Sequence, residues 1–164
     1  SMFLPDRFIK GICPKCGAID SIYSEKDTVS CKKCDMRFRY NEYAMLEGIE
    51  MKTVKELAAW QKEEIRKAAA DGKLEYSASE GVLQSVTKGE EVLLGQGEVT
   101  LSKEKLTCGD YEVAFDDILD MAMHGRHALV FSTKAVYYEL KVDEADNAYK
   151  FHLLYEYYKT GTIR

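Results

Sequence analysis

The sequence predicts an α+β fold in three parts, and three observations predict it. Two closely spaced pairs of cysteines lie near the start, a capped run of helix formers follows, and a series of short strand-like segments leads into one final helix. We therefore expect a small β domain over residues 1–45, a connecting helix within 46–73, and a larger β domain closed by a helix over 74–164.

The composition is that of an ordinary folded chain. With 164 residues, 46% of them apolar and 31% charged, the sequence excludes disordered and fibrous classes and suits one domain or two small ones. No apolar run approaches the roughly 18–20 residues that cross a bilayer, and no secretory signal is visible. These features predict a cytoplasmic protein.

Four of the five cysteines form two Cys-x-x-Cys pairs, Cys13 with Cys16 and Cys31 with Cys34. Two residues between the cysteines of a pair let both sulfur atoms reach one ion from a tight turn, and two such turns complete a tetrahedron. The spacing predicts one Zn²⁺ bound by these four residues. Because four thiolates leave no open coordination position, we expect the ion to be structural and not catalytic.

The residues around the cysteines predict a zinc ribbon. Segments 22–24 and 28–30 are strand-like with a polar turn between them, and 36–40 alternates as a third strand. Gly17 and Asp35 follow the two pairs, where a left-handed backbone is usually needed. We expect both residues to adopt it.

Other interpretations of the cysteines are weaker. Disulfides need an oxidising compartment, and a redox Cys-x-x-Cys usually stands alone at the start of a helix. Nucleic-acid binding is the alternative function, since basic and aromatic side chains alternate near the second pair (Lys32, Lys33, Arg37, Phe38, Arg39 and Tyr40). Residues 1–40 carry a net charge of only +3, which the metal–thiolate group would lower, so a solvated face is favoured.

The connecting helix begins with a capping box, Thr53 followed three residues later by Glu56. Good helix formers continue to Ala70, and Asp71 with Gly72 ends the run. Trp60 lies at the edge of its apolar stripe, where we expect it to pack against a neighbouring domain and not to present a partner surface.

The last 90 residues predict a meander of strands and a closing helix that runs to about residue 159, with Asp143 or Asp146 as its cap. The predicted strands are 74–79, 81–87, 91–101, 106–108, 111–115, 118–123, 129–131 and 135–142. This order is similar to that of the PH/GRAM-like fold, which implies a bent sheet or open barrel plugged by the helix.

Charge argues against an anionic ligand for this part. Residues 75–164 carry nine Lys or Arg against sixteen Asp or Glu, so anionic lipid and nucleic acid are not expected there and a protein partner is. His124 and His127 flank a hairpin tip. This turn is either a simple connection between two strands or a site that binds an anion or makes a pH-sensitive contact. His152 and Cys108 are expected in the core. No nucleophile or phosphate-loop motif is present, so we expect no catalytic residue.

The stretch FIKGICPKCGAIDSIYS, with FRYNEY and the Trp60-Gln61 helix, resembles the extension that follows the catalytic domain of some bacterial 1-acyl-glycerol-3-phosphate acyltransferase-like proteins. That resemblance implies a non-catalytic, zinc-binding accessory module for phospholipid biosynthesis, docked on the parent enzyme or another protein near the inner face of the membrane. The acyltransferase motif His-x-x-x-x-Asp is absent, because Leu129, Ser132 and Tyr157 stand where the aspartate would follow each histidine. Only the four cysteines carry over.

Overall fold

The computed structural model describes residues 11–161, and the chain divides into two compact units between Asp71 and Gly72. We call residues 11–71 the N-terminal unit and residues 72–161 the C-terminal unit. The α+β prediction is confirmed: most of the ordered structure is strand, and the chain ends in a helix on a curled sheet of seven strands.

The N-terminal unit contains a four-stranded antiparallel sheet whose strands follow one another in chain order. They are β1 (Ile22–Glu25), β2 (Thr28–Cys31), β3 (Arg37–Tyr40) and β4 (Leu46–Glu47). In β3 the expected alternation is present, with Arg37 and Arg39 exposed and Phe38 and Tyr40 buried. The buried side chains build a small core that the cysteines help to form.

Helix α1 (Val54–Ala70) starts and ends where the sequence predicts. The Glu56 N–H donates to Thr53 Oγ1 at 3.0 Å, while the Glu56 carboxylate accepts from the Lys52 N–H at 2.9 Å and not from that of Thr53. Trp60 packs against the core of the N-terminal unit itself. The helix therefore belongs to the same compact unit as the cysteine-containing sheet.

A buried glutamine ties α1 to Ile12, the residue before the first cysteine. Gln61 is fully buried; its Oε1 accepts from the Ile12 N–H at 2.8 Å and its Nε2 donates to the Ile12 carbonyl at 2.5 Å. One side chain thus satisfies both backbone groups of a buried residue 49 positions away.

Replacing this glutamine should weaken the N-terminal unit. Gln61→Leu fills a similar volume but leaves the Ile12 N–H and carbonyl buried without partners, so we expect a loss of about 2 kcal/mol in unfolding free energy. Chemical denaturation followed by Trp60 fluorescence measures it. Lys62→Ala, on the exposed face of the same helix, is the control, and equal stability of the two variants contradicts the assignment.

The C-terminal unit is one antiparallel sheet of seven strands. They are β5 (Tyr76–Thr87), β6 (Glu90–Leu101), β7 (Lys105–Cys108), β8 (Tyr111–Ala114), β9 (Asp120–Met123), β10 (Ala128–Ser132) and β11 (Tyr137–Val142). Their order across the sheet is β8-β7-β6-β5-β11-β10-β9, so the first and last strands of the unit pair at its centre. β8 and β9 are left at the two edges.

Two differences from the predicted strands have local causes. Residues 74–79 and 81–87 were expected as separate strands, but β5 is continuous and absorbs the break as a register shift between Ala78 and Gly81. The strand expected over 118–123 begins only at Asp120, because residues Phe115–Asp117 form a single 3₁₀ turn between β8 and β9.

Helix α2 (Tyr149–Thr160) closes the unit, and its buried side includes Phe151, Leu154 and Tyr155. Neither Asp143 nor Asp146 caps it as expected. Instead, the Asn147 side chain accepts from the Tyr149 N–H, and Asp146 forms a buried ion pair with Lys150 at 3.5 Å. No helix within residues 11–161 is long and apolar enough to cross a membrane.

Candidate metal centre

The four cysteines lie on two turns of the N-terminal unit. Cys13 and Cys16 occupy a turn closed by the Gly17 N–H donating to the Cys13 carbonyl at 3.0 Å. Cys31 ends β2, and its N–H donates to the Met36 carbonyl at 3.1 Å, which folds the chain back around Cys34. Strand pairing then brings the two turns together.

Their sulfur atoms form one compact cluster, with all four Sγ atoms within 4.8 Å of one another. Cys13 Sγ is 3.6 Å from Cys34 Sγ, and Cys16 Sγ is 3.8 Å from Cys31 Sγ. A tetrahedral Zn²⁺ with Zn–S bonds of about 2.3 Å separates its sulfur ligands by about 3.8 Å, whereas a disulfide needs about 2.05 Å. The cluster therefore has the dimensions of a four-thiolate zinc site and excludes disulfides.

Backbone N–H groups point at the sulfurs on both turns. Lys15 N–H donates to Cys13 Sγ at 3.3 Å, Lys33 N–H to Cys31 Sγ at 3.2 Å, and Met36 N–H to Cys34 Sγ at 3.4 Å. Such donors stabilise negative charge on sulfur. The turns are therefore arranged to hold thiolates.

The buried sulfurs differ in their ease of ionisation. Burial raises the pKa of the Cys13 thiol to about 12, because a lone buried thiolate is poorly solvated. Burial opposes ionisation of Cys31 as well, but its hydrogen bond with Ser21 Oγ and those donated by backbone N–H groups, that of Lys33 among them, bring its pKa down to about 6. A divalent cation would supply the positive charge that a Cys13 thiolate needs.

The backbone after the two pairs is not the same. Gly17 has a positive φ of 77°, as expected after the first pair. Asp35 was expected to be left-handed too, and this is wrong: it is absent from the residues with positive φ within 11–161. Its carboxylate instead bridges the two turns through an exposed ion pair with Lys15 at 2.5 Å.

The structure thus brings together all four residues predicted to share one ion, and that they ligate a metal stays a prediction. No other group of three or more potential ligands is clustered in the part of the chain that the structure describes. Sequence reasoning missed Ser21 and Gln61, which support the site from positions that only the tertiary fold makes adjacent.

The remaining singled-out residues lie in the C-terminal unit. Cys108 is fully buried, as expected. His127 Nδ1 is 2.8 Å from the Asp146 carbonyl, which ties its loop to the segment before α2, and His124 is exposed at the hairpin tip. His152 lies 3.4 Å from Glu156 on the side of α2 and is only partly buried.

Part of the chain is similar to methionine–tRNA ligases. The identity is 45% over 53 residues with the enzyme of Albidiferax ferrireducens, 47% over 51 with that of Ralstonia nicotianae, and 64% over 33 with that of Leptospira biflexa. The matches cover 30%, 29% and 20% of this chain, and the chain spans about 7% of the length of the first two ligases and 4% of the third. No family profile matches the chain, and no solved structure does either.

These relatives overturn the predicted function. The expectation of an acyltransferase accessory module, and with it a place in phospholipid biosynthesis, is wrong, because the similar proteins are methionine–tRNA ligases. The expectation rested mainly on residues around the cysteines. Metal-ligating turns recur in proteins of unrelated activity, since ligand geometry fixes their spacing whatever the protein does.

Proposed function

We propose that the N-terminal unit is a zinc ribbon in which Cys13, Cys16, Cys31 and Cys34 hold one structural Zn²⁺. The observation that carries this is the set of four Sγ atoms within 4.8 Å of one another, with Cys13–Cys34 at 3.6 Å and Cys16–Cys31 at 3.8 Å. All four coordination positions are filled by protein sulfur, so the ion has no place for a substrate or a water. The ion stabilises a sheet of short strands that has only a small hydrophobic core of its own.

We propose further that this unit is the part of the chain shared with the ligases. The matched segments are 33 to 53 residues long and would therefore fit within the N-terminal unit, which ends at Asp71. A segment that covers about 7% of a ligase is far too short to carry aminoacylation, so we propose a supporting, non-catalytic module. In this role the zinc-bound unit gives a larger protein or complex a folded surface to pack against.

For the C-terminal unit we propose a PH/GRAM-like fold that serves protein docking. The support is the strand order, in which the first and last strands pair centrally and one helix follows the last strand. The acidic balance of residues 75–164 favours a protein partner over an anionic lipid.

The test is the metal content of cysteine variants. We expect one zinc per chain by elemental analysis, loss of that zinc in Cys13→Ser and Cys31→Ser, and full zinc in Cys108→Ala, the fifth cysteine and the matched control. A chain purified without zinc that also fails to bind added Zn²⁺ contradicts the proposal.

Acid should release this zinc steeply. Once the metal leaves and the unit unfolds, free cysteine thiols, whose ordinary pKa is about 8.5, bind protons that the zinc-bound state excludes. The metal-bound state is therefore stabilised as pH rises towards 9 and loses stability as pH falls. We expect the apparent zinc affinity to fall by up to about 10⁴-fold per pH unit below neutrality, measured by competition with a zinc chromophore. If the logarithm of the apparent zinc affinity changes by one or less per pH unit, so that one proton or fewer is taken up on zinc release, four-thiolate ligation is contradicted.

A second candidate function is contact with RNA, favoured by one groove beside the cysteines. It has a volume of about 470 Å³, and its lining includes Trp60, Met51 and Ile49, the basic Lys15 and Arg37, and the acidic Asp35 and Glu50. Aromatic and cationic groups together can hold an unstacked base.

The RNA test compares two arginines of the same unit. At low salt, Arg37→Ala should weaken binding of a fluorescent single-stranded RNA 12-mer, whereas Arg66→Ala, exposed on α1, should not. Absence of salt-dependent binding by the full chain removes this candidate and leaves the structural zinc site intact.

A further inference from the structure

The C-terminal unit has a groove at the open edge of its sheet. The groove has a volume of about 510 Å³ and runs between β8 with the following 3₁₀ turn on one side and the β10–β11 loop on the other. Apolar side chains of Val113, Leu119 and Val136 line it, and the buried Tyr138 contributes to its wall. Leu119 is 57% exposed, so one wall presents apolar surface to solvent.

The backbone of β8 is available along this groove. The Phe115 N–H donates to the Glu104 carbonyl, and β7 and β8 pair in continuous antiparallel register. Hydrogen bonding alternates along such a pair, so Val113 bonds to β7 while the N–H and carbonyl groups of Glu112 and Ala114 point away from it. Within residues 11–161 these outward groups have no hydrogen-bond partner.

Charge defines what could pair with this edge. Asp116 and Asp117 line the groove without an ion pair in the described part of the chain, while Glu112 is paired with Lys105 on the neighbouring strand. Lys134 is the one basic residue in the lining. Residues 75–164 as a whole carry a net charge of −7, so the surrounding field is negative.

We propose that this groove binds an extended basic peptide segment of a partner protein, which adds as a strand to the open edge of β8. Main-chain hydrogen bonds to Glu112 and Ala114 give the segment its register, and alternate side chains reach the aspartates and the apolar wall. A second copy of the chain fits less well, because antiparallel pairing of two β8 edges would set acidic residues against acidic residues.

One substitution tests the strand pairing without disturbing the fold. Ala114 has φ −62° and ψ 135°, which proline adopts without strain, and its N–H is not used in the sheet. Ala114→Pro therefore removes an outward donor and places a ring on the edge. We expect its melting temperature to equal or exceed that of the unaltered chain.

The binding experiment uses a fluorescein-labelled octapeptide of alternating lysine and valine, followed by anisotropy at low salt. We expect saturable binding to the full chain and no binding of the matching glutamate–valine peptide. Ala114→Pro should lower the affinity about tenfold or more. Asp116→Asn with Asp117→Asn should lower it about fivefold, while Glu90→Gln with Glu91→Gln, two exposed acids at the β5–β6 turn, should leave it within about twofold.

Several results overturn the proposal. They are the absence of binding at low salt, unchanged binding by a folded Ala114→Pro variant, and an equal loss in the two charge variants. A further outcome is that the chain dimerises without peptide and Ala114→Pro dissociates the dimer. That result would assign the β8 edge to a second copy of the chain and would also overturn the proposal.

Discussion

Chelation of the zinc is expected to unfold the N-terminal unit and to leave the C-terminal unit folded. Structural zinc contributes about 10–16 kcal/mol of apparent binding free energy in small domains, which exceeds the stability that a short-stranded sheet and one helix can reach alone. Trp60 is the only tryptophan of the chain and packs on the core of the N-terminal unit, so its fluorescence reports that unit alone.

We expect removal of the metal with a strong chelator to shift Trp60 emission to the red and to make residues 11–71 sensitive to protease, while a resistant fragment beginning near Gly72 persists. One equivalent of Zn²⁺ should restore the original spectrum. Cys108→Ala is the control for loss of a cysteine without loss of the ligand set. Unchanged Trp60 emission in protein shown to be free of metal contradicts a structural ion, and loss of both units together contradicts their independence.

Gly95→Ala is expected to cause a large loss of stability in the C-terminal unit. A Cβ at Gly95 would lie 2.3 Å from the Cys108 carbonyl oxygen and 3.0 Å from Tyr111 Cβ. The first of these atoms belongs to backbone, which cannot swing aside, so the turn between β7 and β8 must move. We expect a loss of about 3 kcal/mol in unfolding free energy.

Gly89→Ala is the matched control for this effect. Gly89 lies at the β5–β6 turn with φ 80° and nothing within 4 Å of an added Cβ, so it reports backbone strain alone, about 1 kcal/mol. Denaturant unfolding of the two variants, followed by far-UV circular dichroism, gives the difference. A Gly95→Ala variant as stable as Gly89→Ala means that the sheet does not approach the turn this closely.

Features set by short-range geometry could be predicted from the sequence. The gathering of Cys13, Cys16, Cys31 and Cys34 follows from the reach of two tight turns, and the start of α1 at Thr53 follows from local capping. The alternation of β3 follows from the pleat of a strand with one buried face.

Features that depend on distant pairing could not. Gln61 reads as an ordinary polar helix residue until the fold places Ile12 beside it, 49 residues away in the chain. The groove at β8 exists only because the strand order leaves that edge unpaired. The mistaken acyltransferase function has another origin, since it transferred a function from short local sequence resemblances in and around the metal-ligating turns, which do not fix what a protein does.

We propose that four sulfur atoms of the N-terminal unit hold one zinc ion, which serves as a scaffold. X-ray absorption at the zinc edge of the purified full chain tests it most directly, because it reports the identity, number and distance of the atoms bound to the metal. The structure predicts four sulfur neighbours at about 2.3 Å and no nitrogen or oxygen neighbour. A spectrum with three or fewer sulfurs, or with a bound water oxygen, would contradict it.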